Sequence, residues 1–466
     1  MKGKISQRSA VILIIVIAAV IVAVATGYAL KPAEVTPGET TTITTTAPGT
    51  TTTTTAPGTT ITTTAPPTTT TTPQEETITL RFWHSYGSTE LAEAENLVAE
   101  WNGAHPNIQV EMEYVPSDML FQKMVTLLAA GQVPCDIARY DIALTPQLAD
   151  MGVVLEISDL AEESGISEND FYPGPWSSCV WEGGLYGVPL DTCCTILYYR
   201  KDLLEAENLA VPTTWDELRS AAMKLTKDLN GDGVTDQWGF EGPGGYEMWN
   251  FNPFLWQAGG DVLSSDMNTV IINNTKAIQA LQFLLDLVYV DNASPPPDLW
   301  KWSTEALSKG EVAMGIDGPW GWACARDIFG LDVDTKLGVA TFPAGPAGGA
   351  SVIGGQNLVI PKFTEHPREA MEFVKYLTSY YYQSEMMNVG VFPVLKAASQ
   401  AEVIASNPLW ATIAEQMETA RSRPPHPKYA EMNNILKTYL EEAFRQQKTA
   451  EAALDAIATE IQGLLP

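Results

Sequence analysis

Residues 36 to about 75 are almost entirely Thr, Pro and Gly, with TAPGTTTTTTAPGTT as a near repeat. Such a segment has nothing to bury and cannot offset the entropy of ordering, so it reads as an extended spacer. Dense Thr with Pro is also acceptor context for O-glycans. Any packed core must therefore come from Thr77 onward. Ahead of the spacer, Lys2, Lys4 and Arg8 precede an uncharged apolar run from Ala10 to Leu30. Its length is about the ~20 residues that span a bilayer, and the positive flank belongs inside. The expected order is a basic leader (1–9), a transmembrane anchor or signal segment (10–30), a stalk (31–76) and an outside globular part. A cleaved secretory signal usually carries a shorter apolar region of roughly 7–15 residues. Lys2-Gly3 also resembles a prepilin-type leader. No Cys follows the run, which excludes a lipid-modified cysteine anchor.

The 466 residues carry 27 Lys and Arg against 56 Asp and Glu, a formal charge of −29. That surface repels nucleic acid phosphates and anionic lipid and argues against both as partners outside the N-terminus. A strongly acidic chain can be disordered, but 45% hydrophobic residues and 13 Trp argue for a large core. Cys135, Cys179, Cys193, Cys194 and Cys324 match no CxxC metal or redox pattern. They are expected as buried free thiols or with a single bridge.

From Thr77 the pattern alternates between strands and helices. Ile78, Leu80 and Phe82 alternate as in a strand, and Leu91, Ala94, Leu97 and Trp101 recur at helical spacing. Ile108, Val110, Met112 and Tyr114 alternate again, completing a βαβ unit and indicating a parallel sheet. Phe121, Met124, Val125 and Leu128 mark a second helix ending near Gly131, and Cys135 to Tyr140 a further strand. Later helices carry Ile278, Leu281, Leu285 and Val288; Phe373, Val374 and Leu377; and Leu454, Ile457, Ile461 and Leu464. About 390 residues of this α/β pattern exceed one comfortable core, so two lobes are expected.

WEGGLYGVPLDTCCTILYYRKDLL (Trp181 to Leu204), followed by Pro212-Thr213-Thr214-Trp215-Asp216-Glu217-Leu218, resembles the most recognisable block of the family 1 extracellular solute-binding proteins, the maltose-binding type of ABC importer receptor. LSKGEVAMGIDGPW (Leu307 to Trp320) is similar to another, as are Gly354 to Ile360, the Trp83-His84-Ser85 strand end and the 131–159 region. They follow the family's order from Thr77 to the C-terminus. The resemblance implies a periplasmic-binding-protein type II fold, in which two α/β lobes are joined by a multi-crossing hinge and the ligand cleft lies between them. Crossings near Tyr199–Asp202, Phe342–Gly345 and Thr378–Tyr382 put 77–202 and 342–378 in the first lobe, and 203–341 and 379–466 in the second. It further implies a monomeric receptor domain on the outer face of the cell membrane. There it would hand a sugar or oligosaccharide to ABC permease subunits, with closure by hinge motion.

Sugars present C–H faces for aromatic rings and hydroxyls for Asp, Asn, Gln or Arg. Six of the 13 Trp fall between Trp249 and Trp322, which favours a saccharide. Trp320, in Asp317-Gly318-Pro319-Trp320, occupies the position that stacks on sugar in the resembled family. Trp249, Trp256, Trp300 and Trp302 are further cleft candidates, although a buried Trp is more often core. Trp83, His84 and Tyr86 follow the first strand, where a βα loop opens to the cleft, and the alternative is that Trp83 caps the core. Tyr140 and Asp141 hold the equivalent place after a later strand. Asp191 lies in the strand entering the first crossing. Gly354, Gly355 and Gln356 let backbone approach the ligand.

Asp228, Asn230, Asp232, Val234 and Asp236 match the first nine positions of a calcium loop, with Gly233 at the sharp turn, but Gly239 stands where a bidentate Glu is required. Structural Ca2+ and a plain Asx-rich turn both fit, and no organic cofactor is indicated. An anchored glycoside hydrolase would need two carboxylates ~5–9 Å apart with separated pKa values, and no hydrolase signature accompanies the acids here. Receptors for peptides, polyols or glycerol phosphodiesters are further alternatives, with Arg421 and Arg423 as the cations for an anion. Asn273-Asn274-Thr275 and Asn292-Ala293-Ser294 are N-glycan acceptor patterns.

Overall fold

The computed structural model describes residues 77–465, apart from 243, 244 and 400, together with four short strands in the Thr-rich segment. There Thr46–Ala47 pairs with Thr50–Thr51 and Thr54–Ala56 with Thr59–Ile61, two small hairpins where a wholly extended spacer is expected. Thr is strand-prone. The expected leader and apolar anchor lie outside the described residues. Among those described, no helix is long and apolar enough to cross a membrane.

The region from Glu76 onward forms one compact unit built on two sheets. The larger begins with the expected βαβ unit: β1 (Ile78–His84), α1 (Ser88–Ala104) and the parallel β2 (Ile108–Tyr114). After α2 (Ser117–Ala129), β3 (Ile137–Asp141) adds parallel to β1, and α3 (Thr145–Asp150) follows. β4 (Val188–Cys194) is buried at all seven residues, flanked by strands on both edges. One residue later the chain enters the smaller sheet as β5 (Ile196–Arg200). That sheet is completed by β6 (Trp238–Phe240), β7 (Val312–Asp317) and β8 (Leu337–Ala340), in the order β6-β7-β5-β8. Around it lie α4 (Trp215–Leu225), α5 (Met248–Gln257), α6 (Thr275–Tyr289) and α7 (Trp320–Asp327).

The chain then returns to the larger sheet as β9 (Ser351–Val359), between β4 and β3. α8 (Pro367–Leu377), α9 (Tyr380–Met387) and the short β10 (Phe392–Pro393), paired to β4, follow. α10 (Pro408–Met417) packs on the smaller sheet and β11 (Ala420–Ser422) beside β9. α11 (Tyr429–Phe444) and α12 (Ala450–Gln462) close the smaller-sheet core. The larger sheet runs β10-β4-β9-β3-β1-β2.

Two crossings differ from the expectation. The first is at Thr195, not 199–202: β5 pairs with β7 and β8, so residues 196–202 belong with the second lobe. Thr195 is buried there, its hydroxyl bonded to that of Ser351 at 2.9 Å, which ties the outgoing strand to the returning one. The third is beyond 378–382. Tyr382, Met386 and Val394 pack in the core of Leu80, Phe82 and Phe373, so α9 and β10 stay with the first lobe. α9 alternates too weakly along the sequence to reveal which core it serves. The return between the sheets occupies residues 341–350.

All five cysteines are free and buried.

Candidate functional site

A cavity of about 40 Å³ lies between the lobes. From the first lobe it is lined by Glu90 of α1, Arg139 of β3, Asp191 to Cys193 of β4, Gly355 and Gln356 of β9, and the 390–392 segment. From the second lobe come Pro319 and Trp320, where β7 turns into α7. Four expected residues, Asp191, Trp320, Gly355 and Gln356, thus meet in one place. Gly355 has φ +130°, and a Cβ there would run into the Asp191 carbonyl, so only Gly lets β9 pass this close to β4. A Cβ on Gly354 would strike the Trp249 ring, which sits 6.1 Å from the Trp320 ring at 30°.

The electrostatics centre on Arg139. Its guanidinium donates to Asp191 at 3.0 Å, lies 3.9 Å from Glu90, and covers the Tyr86 ring at 4.4 Å. Arg139 and Asp191 are each more than nine-tenths buried. Burial pushes the Asp191 carboxyl up to about 6 against the opposing pull of Arg139. Among the described residues the Arg139 Nε–H has no partner, and an unpartnered buried donor is costly unless a ligand oxygen fills it. A second pair lies nearby: Arg423 grips both oxygens of Asp141 at 2.7 and 2.9 Å, donates to the Tyr429 hydroxyl at 3.0 Å, and lies 5.5 Å from the Trp249 ring. Its Nε–H is likewise buried without a partner among the described residues.

The other expected residues are placed differently. Asp317 is buried just behind Trp320 and accepts from the Trp302 indole at 2.7 Å and from the Gly318 amide at 2.8 Å. Burial pushes its carboxyl up to about 6, while the bonds from Thr304 and Gly318 oppose the shift. Asp317 therefore holds the turn that presents Trp320, and Trp302 serves Asp317 from a position 38% exposed and away from the cavity. Trp256 is buried against Ala350 and Val352 and donates to Asp261. Tyr86 is buried with its hydroxyl 2.9 Å from that of Tyr382. His84 accepts the Tyr86 amide at Nδ1, and burial together with Arg139 holds its pKa down at about 4. Trp83 and Tyr140 are packed in the core, bonded to Glu113 and to the Leu120 carbonyl. Strand alternation is the reason, because it sends Tyr140 to one face of β3 and Arg139 and Asp141 to the other.

Glu90, Arg139, Thr192, Cys193 and Gly390 line the cavity without standing out in the sequence. The available signal was a charge inside a buried strand, in Ile137-Ala138-Arg139-Tyr140-Asp141, since a buried Arg must be paired. Trp249 and Arg423 were legible as residue types but had no visible partners.

In the loop from Asp228 to Asp236 the side chains turn to their own backbone. Asp228 accepts from Gly231 and Gly233 at 2.7 and 2.8 Å, Asn230 from Asp232, Asp232 from Val234, and Asp236 from Leu229. Among the described residues, no three His, Cys, Asp or Glu converge as a metal set. The loop holds its shape through Asx bonds.

The profile of the bacterial extracellular solute-binding protein family matches residues 87–383. A binding protein of Brucella abortus is 25% identical over 392 residues, covering 80% of this chain and 89% of its own. An ABC transporter solute-binding protein from Thermotoga lettingae, solved with α-D-tagatose, superposes with a TM-score of 0.76 at 26% identity, over 84% of this chain and 100% of its own. Maltose-bound MalE3 of T. maritima superposes with a TM-score of 0.75 at 28% identity, over 83% and 100%.

Proposed function

The chain belongs to the bacterial extracellular solute-binding protein family, and on that premise we propose that it captures a sugar or oligosaccharide between its lobes and delivers it to the permease of an ABC importer. The observation that carries this reading is the cavity wall: Trp320 lines it together with the glycine-thinned stretch of β9 and paired charges. An aromatic ring covers a C–H face, while a carboxylate and an arginine N–H bond adjacent hydroxyls, each already charge-balanced by the other. Two relatives of similar fold bind tagatose and maltose. Arg139 and Arg423 are both held by carboxylates, which disfavours a phosphodiester as ligand.

At about 40 Å³ the cavity is far below the ~300 Å³ of a usual small-molecule site. A sugar therefore enters only when the lobes part, and the strands through Thr195 and residues 341–350 are where the chain can bend. Contacts that close the cleft run from Thr89 of α1 to Cys324 of α7 and from Gly390 to Trp320. Ligand stabilises this form by bonding both walls, and the permease reads the closed form. The receptor acts as a monomer held at the outer membrane face by residues 10–30, and any calcium in the 228–236 loop is structural.

The test is a thermal-shift and Trp-fluorescence screen against saccharides, peptides, polyols and glycerol phosphodiesters. Stabilisation by one sugar class supports the reading, since a ligand that binds only the native state raises Tm. A response confined to another class refutes it, and release of shorter sugars on incubation would favour a hydrolase.

A further inference from the structure

A second space adjoins the cavity. A groove of about 360 Å³ lies between α7, α9 and α10, with Trp322, Arg326, Tyr380, Asn388 and Trp410 on its walls. Gly390 lines both spaces. Gly390 has φ +95°, and a Cβ there would sit 3.1 Å from Trp320 Cα and 3.2 Å from the Pro319 carbonyl oxygen. The two spaces therefore meet where one first-lobe glycine comes close to the backbone of the second-lobe turn.

Trp320 and Trp322 stand two residues apart at the start of α7, about 200° around the helix axis. One faces the inner cavity and the other the outer groove. The groove reaches the ~300 Å³ scale of a ligand site and carries the same chemistry as the inner wall. Trp322 is half-buried and Tyr380 is 53% exposed, and Arg326 and Asn388 supply polar partners. Because its two sides belong to different lobes, this close approach opens with the same hinge motion that admits a ligand.

We propose that the ligand is an oligosaccharide whose chain passes Gly390 from the inner cavity into this groove, where Trp322 stacks on an outer sugar unit. The proposal rests on the saccharide reading above and adds a chain-length preference and the residue that sets it.

Full-length protein is titrated with malto- and manno-oligosaccharides of one to six units, followed by Trp fluorescence and calorimetry. The expected result is a Kd at least tenfold lower for longer sugars than for the shortest that binds. Trp322→Ala then removes that gain while changing the short-sugar Kd less than twofold, and Trp322→Phe retains part of it. Circular dichroism verifies that both variants are folded. A Kd indifferent to length, or a gain unchanged in Trp322→Ala, overturns the outer subsite while leaving a sugar receptor in place. Failure of every sugar in the wild type overturns the saccharide reading and this subsite with it.

Discussion

Replacing Arg139 by Met keeps most of the apolar stem and removes the guanidinium 3.0 Å from Asp191 and 3.9 Å from Glu90. Removing one partner of a buried ion pair costs about 3–5 kcal/mol, because the other charge stays buried. At ~2.1 cal/mol/K per residue, about 390 folding residues give an unfolding entropy of roughly 0.8 kcal/mol/K, so Tm should fall by about 4–6 °C at pH 8. The pH dependence makes the test specific. In the wild type, burial raises Asp191 from 3.8 to about 6 despite Arg139. A carboxyl raised on folding contributes stability that is full below its unfolded value and is lost as pH rises through its folded one. Without Arg139 the folded value climbs further, so at pH 5 Asp191 is protonated in the native variant and the missing cation matters less. Thermal melts of wild type and Arg139→Met at pH 5 and 8 should show roughly half the Tm loss at the lower pH. An equal or larger loss at pH 5 refutes the account, since the penalty would then come from packing and not from an uncompensated carboxylate.

Glu241 is buried, accepts the Lys301 amide, and is pushed by burial from 4.5 to about 8. Stability is therefore lost between those values as pH rises, by up to ~1.4 kcal/mol per unit. Glu241→Gln should flatten the Tm–pH curve over that window, and parallel curves would contradict it. Trp320→Ala should weaken sugar binding by 10- to 100-fold, about 1.4–2.7 kcal/mol, with the unliganded Tm within a few degrees of wild type; an unchanged Kd excludes stacking there. If the 228–236 loop takes calcium, chelation lowers Tm by a few degrees and Asp228→Ala abolishes the difference. Because Asx bonds already shape the loop, identical melts with calcium and chelator would identify a plain turn.

The sequence by itself determined the βα order and the family. Period-two and period-3.6 alternation follow from local backbone geometry and survive in any context, so β1, α1, β2 and α2 were readable from Ile78, Leu80, Leu91, Leu97 and their neighbours. The Asp317-Gly318-Pro319-Trp320 turn was readable through the family resemblance, and Gly354-Gly355-Gln356 through that resemblance and the close backbone approach that glycine permits. Tertiary structure decided what depends on the far side of a residue. It placed the first crossing at Thr195, because pairing of β5 with β7 and β8 is a long-range choice. It kept α9 with the first lobe through Tyr86 and Tyr382, 296 positions apart. It turned Trp83 and Tyr140 inward and brought Arg139 to Asp191 and Arg423 to Asp141, separated by 52 and 282 residues. A charge's role depends on which charge folding sets against it, and in an acidic chain with 56 carboxylates to choose from only the packed structure makes that choice.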